Sequence, residues 1–143
     1  MTITQYEGFA DVDLGEYLED QGFGTVNTDI FVGVLPAPSS ATETDCIAIF
    51  QNGSGEPYVT WAGERVELEI VVRSDNRQTA ANNAYAVFNA IHKLTDTTMN
   101  SNAIYYYIRA KGSPRYIGIE ADSKRFLYSF SVIVLKSIPT AEA

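Results

Sequence analysis

The sequence predicts an α+β fold, with a mainly antiparallel sheet of about five to six strands packed against two helices. Two segments and the order of elements carry that prediction. From Arg65 to Arg73, residues Val66, Leu68, Ile70 and Val72 alternate with Arg65, Glu67, Glu69, Val71 and Arg73, the period of a strand with one apolar face. Over residues 78–94, Ala80, Ala84, Val87, Phe88, Ile91 and Leu94 fall on one side of a helix. Along the chain the elements read helix, strand, strand, strand, helix, strand, short strand, strand, which segregates helices to one face of a sheet.

The first helix is expected over residues 12–20, with Asp11 as N-cap and Val12, Leu14, Tyr17 and Leu18 as its apolar stripe. Asp13 and Glu16 suit the positive end of the helix dipole, and Gly22 and Gly24 mark its end. Residues 29–35 read as a strand stopped by Pro36 and Pro38, residues 36–44 as a loop, and Cys46 to Phe50 as a buried strand. Residues 51–64 read as a loop, with turn signals at Asn52-Gly53 and Gly55. Such a length exceeds what a hairpin needs, and Tyr58 and Trp61 within it are candidates for a partner contact. The helix over 78–94 contains Asn82, Asn83 and Asn89, poor helix formers, so packing must hold it together. Residues 95–102 read as a polar turn, residues 103–110 as an aromatic strand, Tyr116 to Glu120 as a short strand, and Arg125 to Lys136 as the last strand. That strand has apolar residues on both faces, which implies cover on both. One domain spans 1–143, with about ten N-terminal and about six C-terminal residues, Pro139 to Ala143 among them, expected to be flexible.

The composition excludes several classes. With 45% hydrophobic and 20% charged residues, the 143-residue chain has the makings of an ordinary packed domain. Cys46 has no partner for a disulfide, and one Cys with one His, His92, makes no zinc site alone. No apolar run approaches the roughly 20 residues of a membrane span. The N-terminus lacks the basic and apolar regions of a secretory signal, which predicts an unexported protein. Residues 1–60 contain ten acids and no Lys or Arg, while residues 61–143 hold all ten basic residues, within a net charge of −8. An acidic solvated surface is one reading; a protomer with acidic and basic faces suited to head-to-tail association is the other. Duplex binding is disfavoured, because phosphate contacts need an excess of Lys and Arg.

No catalytic set emerges. His92, beside Ile91 on the main helix, reads as structural, and Cys46 as a buried, inert thiol. Asp11 and Asp13 lack the remaining ligands of a calcium loop. Gly22, Gly24, Gly53 and Gly55 lack the context of phosphate loops. Asn52-Gly53-Ser54 matches a glycosylation sequon, without meaning in an unexported protein. Glu67 and Glu69 read as a solvated strand face rather than an acid–base pair. The sequence therefore predicts neither an enzyme nor a cofactor. Tyr105, Tyr106 and Tyr107 put at least one Tyr on each sheet face, for packing or for an interface.

Three runs, Asp29 to Pro36, Asp45 to Phe50 and Gly55 to Pro57, come in a recognisable order. They precede Arg65 to Arg73 and an Ala-rich helix ending in His92-Lys93-Leu94. Together they resemble the tail terminator (tail completion, or minor capsid) proteins of bacteriophages with long, non-contractile tails. The likeness covers about residues 11–136 and loosens over the C-terminal part. It implies an α+β protomer in a hexameric ring that ends tail-tube polymerisation and offers a docking surface to the head connector or stopper. It implies a virion protein of the head–tail junction, assembled in the host cytoplasm, with no catalytic residues and no membrane. DNA would pass through the ring without specific binding. Candidate interface residues are Arg109, Lys111 and Arg115, grouped with Lys124 and Arg125, together with Tyr58 and Trp61. Other readings are a different head–tail joining protein, such as an adaptor or stopper, or a monomeric module that binds a ligand or peptide.

Overall fold

Twelve consecutive antiparallel pairs, from Gly63 opposite Ser137 to Ser74 opposite Phe126, join the two longest strands and form the spine of the protein. The computed structural model describes residues 3–36, 45–53, 55–58, 60–120 and 124–141. In chain order the elements are β1 (Tyr6–Glu7), α1 (Ala10–Asp20), β2 (Ile30–Val32), β3 (Cys46–Gln51), β4 (Glu56–Pro57) and β5 (Gly63–Ser74). They continue with α2 (Arg77–Ile91), β6 (Leu94–Thr98), β7 (Ile104–Ala110), β8 (Arg115–Ile119), β9 (Phe126–Ser137) and β10 (Thr140–Ala141).

The α+β class is as expected. The main sheet runs β2-β3-β5-β9-β7-β6, with β4 added on β5 and β8 on β9, eight strands in all. Every pairing in it is antiparallel except β2 with β3. The alternation of β5 and β9 aims Val66, Leu68, Ile70, Val72, Phe130, Val132 and Val134 at one face, all buried. Both helices pack there, α1 through Ala10, Leu14 and Leu18 and α2 through Ala80, Ala84, Val87 and Ile91. Removing this apolar surface from water, at roughly 25 cal/mol per Å², is the main force that holds helices to sheet.

In the main sheet, two strands lie where the sequence predicts none. β4 falls within the expected 51–64 loop, and β6 within the expected 95–102 turn. Both are edge pieces. β6 reads Leu-Thr-Asp-Thr-Thr and is mostly exposed, so it lacks the apolar alternation that betrays a strand. The expected loop over 36–44 lies outside the described residues except for Pro36.

Helix ends depart from expectation at two of four points, the start of α1 and the end of α2. Helix α1 starts at Ala10, and its cap position is Phe9, which makes no side-chain cap bond. Asp11 is thus inside the first turn, where its Oδ1 accepts from the Val12 N–H at 2.9 Å. The burial of Ala10 against the sheet draws the helix start back, and Val12 is left exposed rather than in the apolar stripe. At the other end the expected glycine stop holds. The Phe23 N–H donates to the Leu18 carbonyl and the Gly22 N–H to that of Glu19, with Gly22 at φ +86°, a Schellman turn. Helix α2 is capped by Asn76, whose Oδ1 accepts from the Thr79 N–H at 3.1 Å. It ends at Ile91, three residues early, because Lys93 turns through φ +71° and Leu94 enters β6.

The two chain ends, which the sequence reads as flexible, contain paired residues: Tyr6 lies opposite Ala141 and Glu7 opposite Thr140.

Candidate assembly surfaces

The sheet face away from the helices is charged. It carries Arg65, Glu67, Glu69 and Arg73 from β5, with Arg109 from β7 beside Ile133. Most of these charges meet partners within the chain. Lys111 Nζ lies 2.9 Å from Glu67, and Arg65 lies 3.8 Å from Glu56. The Ser129 hydroxyl donates to Glu69 at 3.1 Å. Buried Arg73 lies 3.4 Å from Glu120 and donates to the Pro36 carbonyl at 2.6 Å. Glu67 and Glu69, read from the sequence as solvated, are half-buried and partnered.

All five candidate interface residues are exposed, Arg109 and Arg115 on β7 and β8. Their neighbours on β9, Ile133 and Ser129, are four residues apart on the same face, about 14 Å. Lys111, close by, is tied to Glu67. Tyr58 and Trp61 sit elsewhere, near Gly63 and Ser137 at the opposite end of the long strands.

There the described part of the expected loop pairs with the start of β5, Glu56 opposite Arg65 and Pro57 opposite Glu64. The Tyr58 N–H donates to the Gly63 carbonyl, and Tyr58 stacks on Trp61 with ring centres 5.1 Å apart. Trp61 meets the edge of Tyr106 at 5.2 Å. A Cβ on Gly63 would overlap the Trp61 ring, so glycine is needed at that close approach. The two aromatics remain 40% and 39% exposed, so they form a cluster on the surface rather than part of the core. A bulge between Tyr105 and Tyr107 separates the three consecutive tyrosines. Tyr105 enters the core, Tyr106 reaches Trp61, and Tyr107 stays half-buried on β7.

Burial of charge in the core was missed by sequence reasoning. Asp13, expected merely to favour the helix dipole, is 2% exposed and accepts from the Tyr105 hydroxyl at 2.7 Å. Burial, and then the Asp13 carboxylate, push the Tyr105 hydroxyl far above the usual tyrosine range, so it remains a donor. Lys136 is fully buried and donates to Glu64 at 3.1 Å and to the Ser137 carbonyl at 2.6 Å. The alternation of β9 does place Lys136 on the core face with Val132 and Val134, a signal present in the sequence.

Beside α1 runs a groove of about 250 Å³ lined by Tyr6, Glu7, Phe9, Val12, Asp13, Glu16, Asn100 and Ser101 among others. None of the described residues that line it is basic. Burial, and then the neighbouring Asp13 charge, raise the Glu16 carboxyl above its usual range. The described lining of the groove therefore carries acidic side chains and no basic one.

His92 is structural, as expected: its Nδ1 accepts from the Ala110 N–H at 3.0 Å and its ring stacks on Phe88. Cys46 is buried, and burial raises its thiol pKa, which disfavours the reactive thiolate. Among the described residues, no three of His, Cys, Asp and Glu gather as metal ligands would, and no helix is long and apolar enough to cross a membrane.

Comparison with known proteins agrees with the architecture. A family model described as bacteriophage tail terminator protein matches residues 17–138. No curated protein matches the sequence. Among solved structures, a chain of the virion of a native gene transfer agent (GTA) particle is similar in fold, with a TM-score of 0.56 and 15% identity. That match covers 90% of this chain and 87% of the other.

Proposed function

The chain belongs to the bacteriophage tail terminator protein family, and from that premise we propose that this virion structural protein caps the tail tube as a closed ring, most simply of six copies. The cap ends tube polymerisation and presents its far side to the head connector or stopper. The observation that carries this reading is the family match over residues 17–138, most of the chain. The surface chemistry supports it. An acidic groove with no basic residue among its described lining, and exposed Arg109 and Arg115 elsewhere on the chain, suit contacts between unlike patches of successive copies. The role is structural rather than enzymatic. The ring lets genome DNA pass without binding it, in keeping with a net charge of −8. Addition of the protein to purified, uncapped tail tubes tests this: capped tubes of fixed length support it. Binding to the connector alone would make it an adaptor or stopper.

A further inference from the structure

Two surfaces of this chain are complementary and cannot meet within one molecule. The first is the groove beside α1, rimmed by exposed Phe9 and Val12 and lined by Glu7 and Glu16. It lies at the Ser137 end of the spine, since Gly8 abuts Ala103 and Pro139. The second is strand β8, whose Tyr116, Ile117 and Ile119 are exposed at 37%, 43% and 53%, flanked by exposed Arg115 and Lys124. Among the described residues it pairs only with β9, at Phe126 to Ser129, the opposite end of the spine. Eight to eleven strand residues separate Ser137 from the stretch of β9 that pairs with β8, roughly 27–37 Å.

An exposed apolar edge strand is a template for further pairing unless something covers it. An acidic groove with an apolar rim, in turn, suits an element that is both apolar and basic. We infer that the β8 edge of one copy seats in the α1 groove of the next. This inference rests on the ring proposal and names its subunit interface. The contact joins unlike patches at opposite ends of the protomer, so it is the head-to-tail kind that a ring repeats and not a two-fold contact. It also brings Arg115 and Lys124 to Glu7 and Glu16, which have no basic neighbour among the described lining.

Two reciprocal variants test the assignment, with wild type measured in solution and on tail tubes. One reverses the edge, Arg115→Glu with Lys124→Glu; the other reverses the groove, Glu7→Lys with Glu16→Lys. None of the four residues is buried, and circular dichroism checks that each variant folds. Each variant alone should need at least about tenfold more protein to assemble. Their equimolar mixture should assemble like wild type, because each then meets a matching partner. Variants that assemble normally, or a mixture no better than its parts, would overturn this interface while leaving the ring standing. As an independent readout, oxidation of Val12→Cys/Ile117→Cys chains should give a ladder of linked copies, and its absence counts equally against the contact. Wild type that never assembles, on tubes or off, overturns the ring proposal itself.

Discussion

The Tyr105 hydroxyl donates to the Asp13 carboxylate at 2.7 Å, both side chains buried, and so ties α1 to β7 across 92 residues of sequence. Tyr105→Phe removes the donor and leaves a buried carboxylate with one partner fewer. We expect a loss of about 1–3 kcal/mol in folding stability, read from the urea midpoint at unchanged slope. A loss within measurement error would mean that the bond does not hold the helix in place.

The same pair sets a pH dependence. The folded Tyr105 holds its proton well above the ordinary value of 10.0, while the unfolded chain gives it up near that value. The stabilisation is therefore complete below pH 10 and fades as pH rises beyond it, because the unfolded state then binds fewer protons. Stability measured from pH 9 to 11 should fall more steeply for wild type than for Tyr105→Phe. Equal slopes would place Tyr105 in solvent.

Where the sequence was legible, regular period explains why. Strands β5 and β9 and helix α2 show their faces because one side of each is apolar over most of its length. Strands β4 and β6 do not, since two residues and a polar edge carry no period. Asp13 looks like a residue that favours the helix dipole until Tyr105 arrives from β7. Lys136 sits on the core face by alternation alone, but its partner Glu64 is 72 residues away and invisible to local pattern. For the candidate site, the residue types were legible and their placement was not. Arg109 and Arg115 face outward, Lys111 is paired, and Tyr58 and Trp61 lie at the far end of the spine.

Reversing Arg109, Lys111 and Arg115 together to Glu should weaken self-association while the monomer stays folded. Arg109 and Arg115 are exposed, and Lys111 is half-exposed in its pair with Glu67. Each change should contribute about 1 kcal/mol, more at low salt than at high salt. Light scattering across a salt series checks this, and unchanged assembly would remove these residues from the interface.

The stacked pair Tyr58 and Trp61 should serve a partner more than the fold. With both rings about two-fifths exposed, Trp61→Ala should cost about 1 kcal/mol of stability through its contacts with Tyr58 and Tyr106. Tail-length control should fail nonetheless. A large drop in melting temperature with normal tails would reverse the assignment.

DNA should pass the protein without adhering. At about physiological salt, a gel-shift assay with duplex and single-stranded DNA should show no complex at low micromolar protein. Binding that weakens as salt rises would point to a nucleic-acid-handling role.

The central claim is a ring that ends the tail tube. Negative-stain imaging of purified tail tubes incubated with the protein tests it most directly. The expected result is a closed ring at one end of each tube and no further growth when tube subunits are added. A protein that remains monomeric and leaves both tube ends free to grow would contradict it.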